Sequence, residues 1–527
     1  MTHRFRGFIT PLMTTVQDAG SDRDADRDSP DEGVEQVPVL RRMARLRMDR
    51  AVGLVVLLLA VAAAGMLWMS LSLTDPARRT PPQRGLLFET WRILYDTQAP
   101  SARVILMAVA VALLFAAAVA TMERTIANRY RRSENPGVTP LAPKIVMQRT
   151  RGVFHGPVTV TVLIPAHNEQ DKIGATLRSL QEHDDPPDRI IVVADNCTDS
   201  TEQVARAAGV EVVPTVGNTK KKAGALNQVL VRLLPQLDEN DTVMIMDADT
   251  VLDRGYLAAA RQRMTDDRAL MAVGGLFYGE DGAGIMGQFQ RNEYTRYSRE
   301  IARRRGRVFV LTGTASMFRS RALKTVAESR GTLLPGHYAD VYDTEALTED
   351  NELTIALKSL GALMISPDRC RVVTEVMPTW RALWHQRLRW QRGALENLGA
   401  YGVTPQTARY WAQQLGIGYG VVALTAYLAL LFFMIFSLDQ WVWFPFWIGI
   451  GTLFAVERVV AVWRSTWQAR LLAALLFPEL VYAMFLNVVY VKGVFDIMTA
   501  KSAQWGHVVR NENGGVAVKA DADALRA

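Results

Sequence analysis

Apolar runs of membrane length stand towards both ends of this chain, and ordinary globular patterning lies between them. That order restricts the fold more than any other feature. A spanning helix needs roughly 20 mostly apolar residues, and residues 51–73 and 102–122 meet that need before the middle. The runs after it are 415–436, 441–456 and 471–491. The first is too late and too long for a secretory leader, and LRRMARLRMDR before it puts its N-terminus inside. The second returns to the cytoplasm, because ERTIANRYRRSE follows it. Trp441, Trp443 and Trp447 flank the short fourth run, as in an interface-rich span. Pro478, Glu479, Asn487 and Lys492 interrupt the last, which is expected to be broken, tilted or partly inserted.

The expected division is a disordered tail at 1–37, two spanning helices and their loop at 38–125 and a linker at 126–155. A globular domain at 156–375, an interfacial helix at 376–410, a membrane region of about three helices at 411–494 and a tail at 495–527 follow. The formal charge of +7 is read as a topology signal, because Lys and Arg cluster beside the apolar runs. REIARRRGR at 299–307 is assigned to lipid headgroups, and no nucleic acid is expected. Cys197 and Cys370 lie far apart, which gives neither a disulfide framework nor a zinc site and suits a reducing compartment.

Within the globular part, strand-length apolar bursts at 158–164, 189–194, 210–216 and 242–246 alternate with helical patterns at 172–181, 201–208 and 223–234. This is an α/β pattern with a mainly parallel sheet, and chemistry belongs at the carboxyl ends of its strands. The first strand ends in Pro165, Ala166, His167, Asn168 and Glu169, a turn that offers backbone groups and one carboxylate; Asn168 capping the next helix is the plainer alternative. The second strand delivers Asp195. After the fourth, Asp247 and Asp249 stand two apart on extended chain, face the same way and can approach one Mg²⁺ or Mn²⁺. Thr348, Glu349 and Asp350 open an amphipathic helix, which a cap and a helix dipole would also explain. On a helix from 378 to 400, Trp380, Leu383, Trp384, Leu388, Leu395 and Leu398 converge on one side. Gln386, Arg389 and Trp390 fall opposite, an Arg suited to a diphosphate and a Trp to a sugar ring.

With PAHNE, VADNCTD, KAGALN, DAD, GTASMFR, TED and QRLRW in this order, the chain resembles the family-2 inverting glycosyltransferases, in particular the membrane-integrated processive branch of cellulose, chitin, poly-N-acetylglucosamine and hyaluronan synthases. The resemblance implies a GT-A (Rossmann-like) cytosolic domain inserted between transmembrane helices, with interfacial amphipathic helices. It implies that Glu169 and Asp195 hold uridine, with Lys222 near the donor. Asp249 would bind the metal, Asp247 would lie toward ribose or metal, and Asp350 would be the general base. Gln386, Arg389 and Trp390 would hold the diphosphate and acceptor sugar, with Glu349 toward the acceptor. Many members carry two acids after the second strand; here Ala194 precedes Asp195, and His167 stands where Tyr is frequent. The partners implied are a UDP-sugar, a carbohydrate acceptor and membrane lipid, with any export partner unidentified. The rival expectations are transfer of one sugar to a lipid acceptor, and a nucleotide-binding transporter or receptor.

Overall fold

The computed structural model describes residues 132–153, 156–303, 306–437 and 445–501, together with residue 125 and short strands at 83–87, 91–95, 442–443, 506–510 and 516–520. The expected tail at 1–37 and the runs 51–73 and 102–122 lie outside those residues.

The globular part opens with α1 (Pro143–Arg149) and then alternates β1 (Thr159–Ala166), α2 (Ile173–Gln181), β2 (Arg189–Ala194), α3 (Thr201–Ala207), β3 (Glu211–Pro214), α4 (Lys221–Leu233) and β4 (Asp241–Met246). The strands β1, β2, β3 and β4 pair in parallel, with β1 between β2 and β4. Their bursts are nearly continuous because both faces are covered. Leu163, Ile191, Val193, Val243 and Ile245 pack on one side against Leu226 and Leu230 of α4. Val160, Val162, Ile164, Val192 and Met244 pack on the other against Ile173, Leu177 and Leu180 of α2.

Beyond β4 the chain forms β5 (Val251–Leu252), α5 (Tyr256–Asp266), β6 (Leu270–Gly274), β7 (Leu276–Gly279), α6 (Gly284–Arg303), β8 (Ala315–Arg319), α7 (Ser320–Ser329), α8 (Glu349–Ser359), β9 (Leu363–Ile365) and β10 (Arg371–Thr374). The sheet is mainly parallel, as the sequence suggested, and is made mixed by one strand: its order is β9-β6-β8-β4-β1-β2-β3. The antiparallel strand is β8, paired with both β4 and β6. A smaller sheet, β5-β10-β7, stands beside it.

The 22-residue helix α9 (Trp380–Tyr401) starts at Thr379, whose hydroxyl accepts from the Ala382 N–H. It is followed by α10 (Ala408–Ser437), α11 (Pro445–Ala461), α12 (Trp467–Ala474) and α13 (Leu476–Met498). The last apolar run is broken as expected, at Leu475 between α12 and α13, just before Pro478. The fourth run does not begin as a helix: Val442–Trp443 is a strand pairing with Trp91–Tyr95, and α11 covers only 17 residues. Among the described residues one helix, α13, is long and apolar enough to cross a membrane by length and composition.

On the tryptophan side of α9, Trp380 is 42% exposed. Trp380 and Trp384 pack on Phe485 of α13, with ring centroids 4.9 and 5.8 Å apart. The buried side carries Leu383, Leu395 and Leu398 together with Arg387 and Asn397, polar residues that apolar periodicity could not identify. The expected lipid contact of REIARRRGR is also partly pre-empted, since the Arg299 guanidinium donates to the Val460 carbonyl of α11.

Candidate active site

The carboxyl ends of β1, β2 and β4 carry short turns. Asn168 and Asn196, just past the first two strands, have φ of 56° and 50°, a left-handed region that Asn enters more readily than most residues. Asn168 does not cap α2, whose N-cap is Lys172; its Oδ1 accepts from the Thr198 N–H at 2.8 Å and ties the two turns together. Pro165 and Ala166 close β1, and the Ala166 carbonyl accepts from the Asp195 N–H at 2.8 Å. His167 Nδ1 lies 2.6 Å from the Asp195 carbonyl, so this residue acts here on the backbone of the second turn.

Asp195 is buried, and its Oδ1 accepts from Asn196 Nδ2, Thr215 Oγ1 and Asn218 Nδ2 at 3.1, 2.9 and 2.8 Å. Asn218 Nδ2 also donates to the Lys221 carbonyl at 2.8 Å. That bond links Asp195 to the first turn of α4, which presents Lys222. Lys222 Nζ contacts Asp247 Oδ1 at 2.6 Å and Glu349 Oε1 at 3.0 Å. Burial opposes its charge, but the two carboxylates outweigh that and hold the ammonium protonated well above its ordinary range.

Asp350 opens α8 beside Glu349. Its Oδ2 accepts from the Gly313 N–H at 3.1 Å and its Oδ1 from the Asn351 N–H at 2.7 Å. Burial, and then the neighbouring Glu349, push its carboxyl up to about 6 against the pull of Lys222. Burial pushes Glu349 the same way, but Lys222 and then Arg389 outweigh it and keep that carboxyl below the usual range. A Cβ on Gly313 would meet Lys222 Nζ at 3.1 Å, Asp350 Oδ2 at 3.4 Å and Asp247 Oδ2 at 3.6 Å. A glycine thus stands where three charged groups from three elements meet. A space of about 10 Å³ is lined by Lys222, Gly313, Glu349 and Asp350, while the Asp247 side chain stays 32% exposed.

The second carboxylate of the DAD turn faces other acids. Burial, then Asp247 and Glu375, push Asp249 up to about 6. Burial, then Asp249 and Glu375, push Glu169 up to about 8. Lys172 contacts Glu375 at 3.3 Å and offsets part of this. Among the described residues no group of three or more His, Cys, Asp or Glu is arranged to hold a metal ion. The donor set still fits a hard cation such as Mg²⁺ or Mn²⁺, which takes oxygen ligands, needs few from the protein and completes its shell with phosphate and water. Crowded, partly desolvated carboxylates with raised pKa are what such a cation relieves.

The three residues expected from α9 separate. Arg389 lies near Glu349, on the acid side. Trp390 stacks under the Arg387 guanidinium at 4.6 Å and lines a cavity of about 520 Å³ with Glu293, Asn351, Gln391 and Gln414. Gln386 Oε1 is buried without a hydrogen-bond partner. Sequence reasoning missed Gly313, Asn218, Glu375 and Lys172. GTASMFR contained the first as an anonymous motif member, while the others carry no local signal.

Residues 157–393 match the family model described as "Glycosyltransferase like family 2". The chain carries a family-2 glycosyltransferase domain. Its mixed α/β sheet is GT-A-like. The chain is similar to a poly-beta-1,6-N-acetyl-D-glucosamine synthase of Staphylococcus aureus (strain MSSA476), 26% identical over 245 residues, covering 45% of this chain and 55% of the relative. It is 30% identical over 251 residues to the probable glycosyltransferase YdaM of Bacillus subtilis (strain 168), covering 44% and 54%. The chain thus spans about half the length of the curated relatives it matches. A solved mannosyltransferase, PcManGT from Pyrobaculum calidifontis in complex with GDP-Man and Mn²⁺, aligns with a TM-score of 0.45 at 18% identity, over 75% of this chain and 99% of that one.

Proposed function

We propose that this chain is a membrane-bound, metal-dependent inverting glycosyltransferase that moves a sugar from UDP-N-acetylglucosamine or UDP-glucose onto a growing β-linked polysaccharide at the cytoplasmic face. The observation that carries the reading is one connected set of polar contacts from Asp195 through Asn218 and α4 to Lys222, Asp247 and Glu349, with Asp350 against Gly313 at its end. Nucleotide, diphosphate and acceptor sites would then share one cleft. The relatives named as polysaccharide synthases support the product class, and α13 supports the membrane location.

In this reading Glu169, Asp195 and the turn at Pro165 and Ala166 hold the uridine. Asp249, with Asp247 toward ribose or metal, holds Mg²⁺ or Mn²⁺, which supplies Lewis-acid stabilisation of the departing diphosphate. The donor diphosphate replaces Asp247 and Glu349 as the partner of Lys222, and Arg389 and Gln386 close on it. Asp350 takes the proton from the acceptor hydroxyl as that oxygen attacks the anomeric carbon opposite the leaving nucleotide, so an α-linked donor gives a β-linked product. Trp390 and Glu349 hold the acceptor; an aromatic wall with polar neighbours suits a sugar ring.

Full-length protein in membranes, given each UDP-sugar with Mn²⁺ or Mg²⁺, is expected to release UDP and build a ladder of products. No UDP release from either donor would overturn the enzyme, and one glycolipid band would replace polymer growth by transfer to lipid. Trp390→Ala is expected to cut chain extension about tenfold and leave Mn²⁺-dependent UDP affinity within about twofold. Equal loss of both would make Trp390 structural.

A further inference from the structure

Helix α9 carries four residues spaced four apart, Arg389, Gly393, Asn397 and Tyr401, of which the last three meet the start of α8. Arg389 lies near Glu349. A Cβ on Gly393 would come within 2.5 Å of Thr348 Oγ1 and 2.7 Å of its Cγ2, so the two helices meet backbone to side chain there. Asn397 is buried; its Nδ2 reaches the Thr348 carbonyl at 3.0 Å, Thr348 Oγ1 at 3.2 Å and Asn351 Oδ1 at 3.1 Å. Tyr401 Oη donates to Glu352 Oε1 at 2.6 Å. Glu352 in turn forms a buried ion pair with Arg330, whose guanidinium also holds the Pro335 and Val341 carbonyls.

None of these bonds is needed to make either helix. Thr348 is the N-cap residue of α8, but its hydroxyl makes no cap bond and points to Asn397 instead. Asn227 on α4 adds a second tether, accepting from the Val341 and Tyr342 N–H groups at 3.2 and 2.9 Å. The first turn of α8 is therefore located by α9 and by the loop ahead of it rather than by its own capping.

We infer that Gly393, Asn397 and Tyr401 are positioning residues: they fix the register of α8 against α9, and so the placement of Asp350 relative to Arg389 and Trp390. Acceptor proton transfer and diphosphate binding are thereby assembled by one helix pair. A displacement of about 1 Å between such groups costs up to about 100-fold in rate. The inference rests on Asp350 acting as the base.

The test uses full-length protein in membranes with Mn²⁺ and UDP-N-acetylglucosamine, or UDP-glucose where the wild type prefers it. Asn397→Ala and Gly393→Ala are expected to lower kcat about tenfold or more, with KM for the donor and Mn²⁺-UDP affinity within about twofold of wild type. Tyr401→Phe, which keeps the ring, is expected to show a smaller fall of the same kind. Gly393→Ala combined with Thr348→Ala relieves the contact and is expected to regain part of the lost kcat. Unchanged kcat in Asn397→Ala, or kcat and UDP affinity falling together, overturns the inference, as does a double variant no better than Gly393→Ala. Asp350→Asn in parallel separates the two readings. If it is inactive while Asn397→Ala and Gly393→Ala are normal, only the positioning role falls; if it turns over normally, both fall.

Discussion

Asp350→Asn is expected to lower turnover by about 10²- to 10⁴-fold, with UDP binding intact. The substitution keeps the size of the side chain and an oxygen for one of the Gly313 and Asn351 N–H groups, which bond different carboxylate oxygens, but removes the atom that would take the acceptor proton. The wild-type carboxyl, pushed up to about 6 by burial and then by Glu349, gives the matching pH signature. The base works as carboxylate, so kcat/KM should fall as pH drops through about 6, and Asp350→Asn should lose that limb. A raised folded-state pKa also means that ionising Asp350 costs stability as pH rises towards neutrality. The neutral Asn should therefore leave Tm unchanged or raised. Turnover within about tenfold of wild type, with the acidic limb retained, would remove Asp350 from the base role.

Asp249→Asn is expected to cost roughly 3 kcal/mol or more, about 100-fold in kcat/KM. The physical warrant is the crowding around this carboxylate: Asp249 is pushed up by burial, then by Asp247 and Glu375, and Glu169 by burial, then by Asp249 and Glu375. A hard divalent cation would offset that repulsion and connect the DAD turn to the donor phosphates. Titrating Mn²⁺ into a UDP-binding assay provides the readout. Wild type should bind UDP more tightly as Mn²⁺ rises, whereas Asp249→Asn should bind it weakly and without response to the ion. A variant that keeps the Mn²⁺ response would move the cation away from Asp249.

Much of the part built on β1, β2 and β4 was legible in the sequence because its signals are local. The strands β1, β2 and β4 are apolar bursts, each ending directly in an assigned acid or its turn, so periodicity delivered both the element and the residue. The alternation had less to offer after β4. The strand β8 is short and apolar like its neighbours, and nothing in ASMFR states that it runs against them. Long-range polar partners were least legible. Asn218 reaches Asp195 across 23 positions and Asn397 reaches Thr348 across 49, and single polar residues on helices or loops look solvated until their neighbours are known. The polar residues on the buried side of α9 were illegible for the same reason. Arg387 is buried because Glu293 on α6 receives it, and no pattern within α9 announces an acceptor that far away.

The contacts made by α6 bear on how the molecule can be handled. Arg296 Nη1 donates to both carboxylate oxygens of Glu479, Tyr482 Oη donates to Glu293 at 2.7 Å, and Asn292 Nδ2 reaches the Ala469 carbonyl. Partners from α12 and α13 thus answer polar groups that sit inside the transferase domain. Trimming the chain after α9 to obtain a soluble catalytic fragment would strand Arg296 without its counter-ion and strip Phe289 of its stacked Tyr482 ring. Such a fragment is expected to aggregate. The transferase domain and the helices α12 and α13 are expected to fold as one unit and to be purified best together.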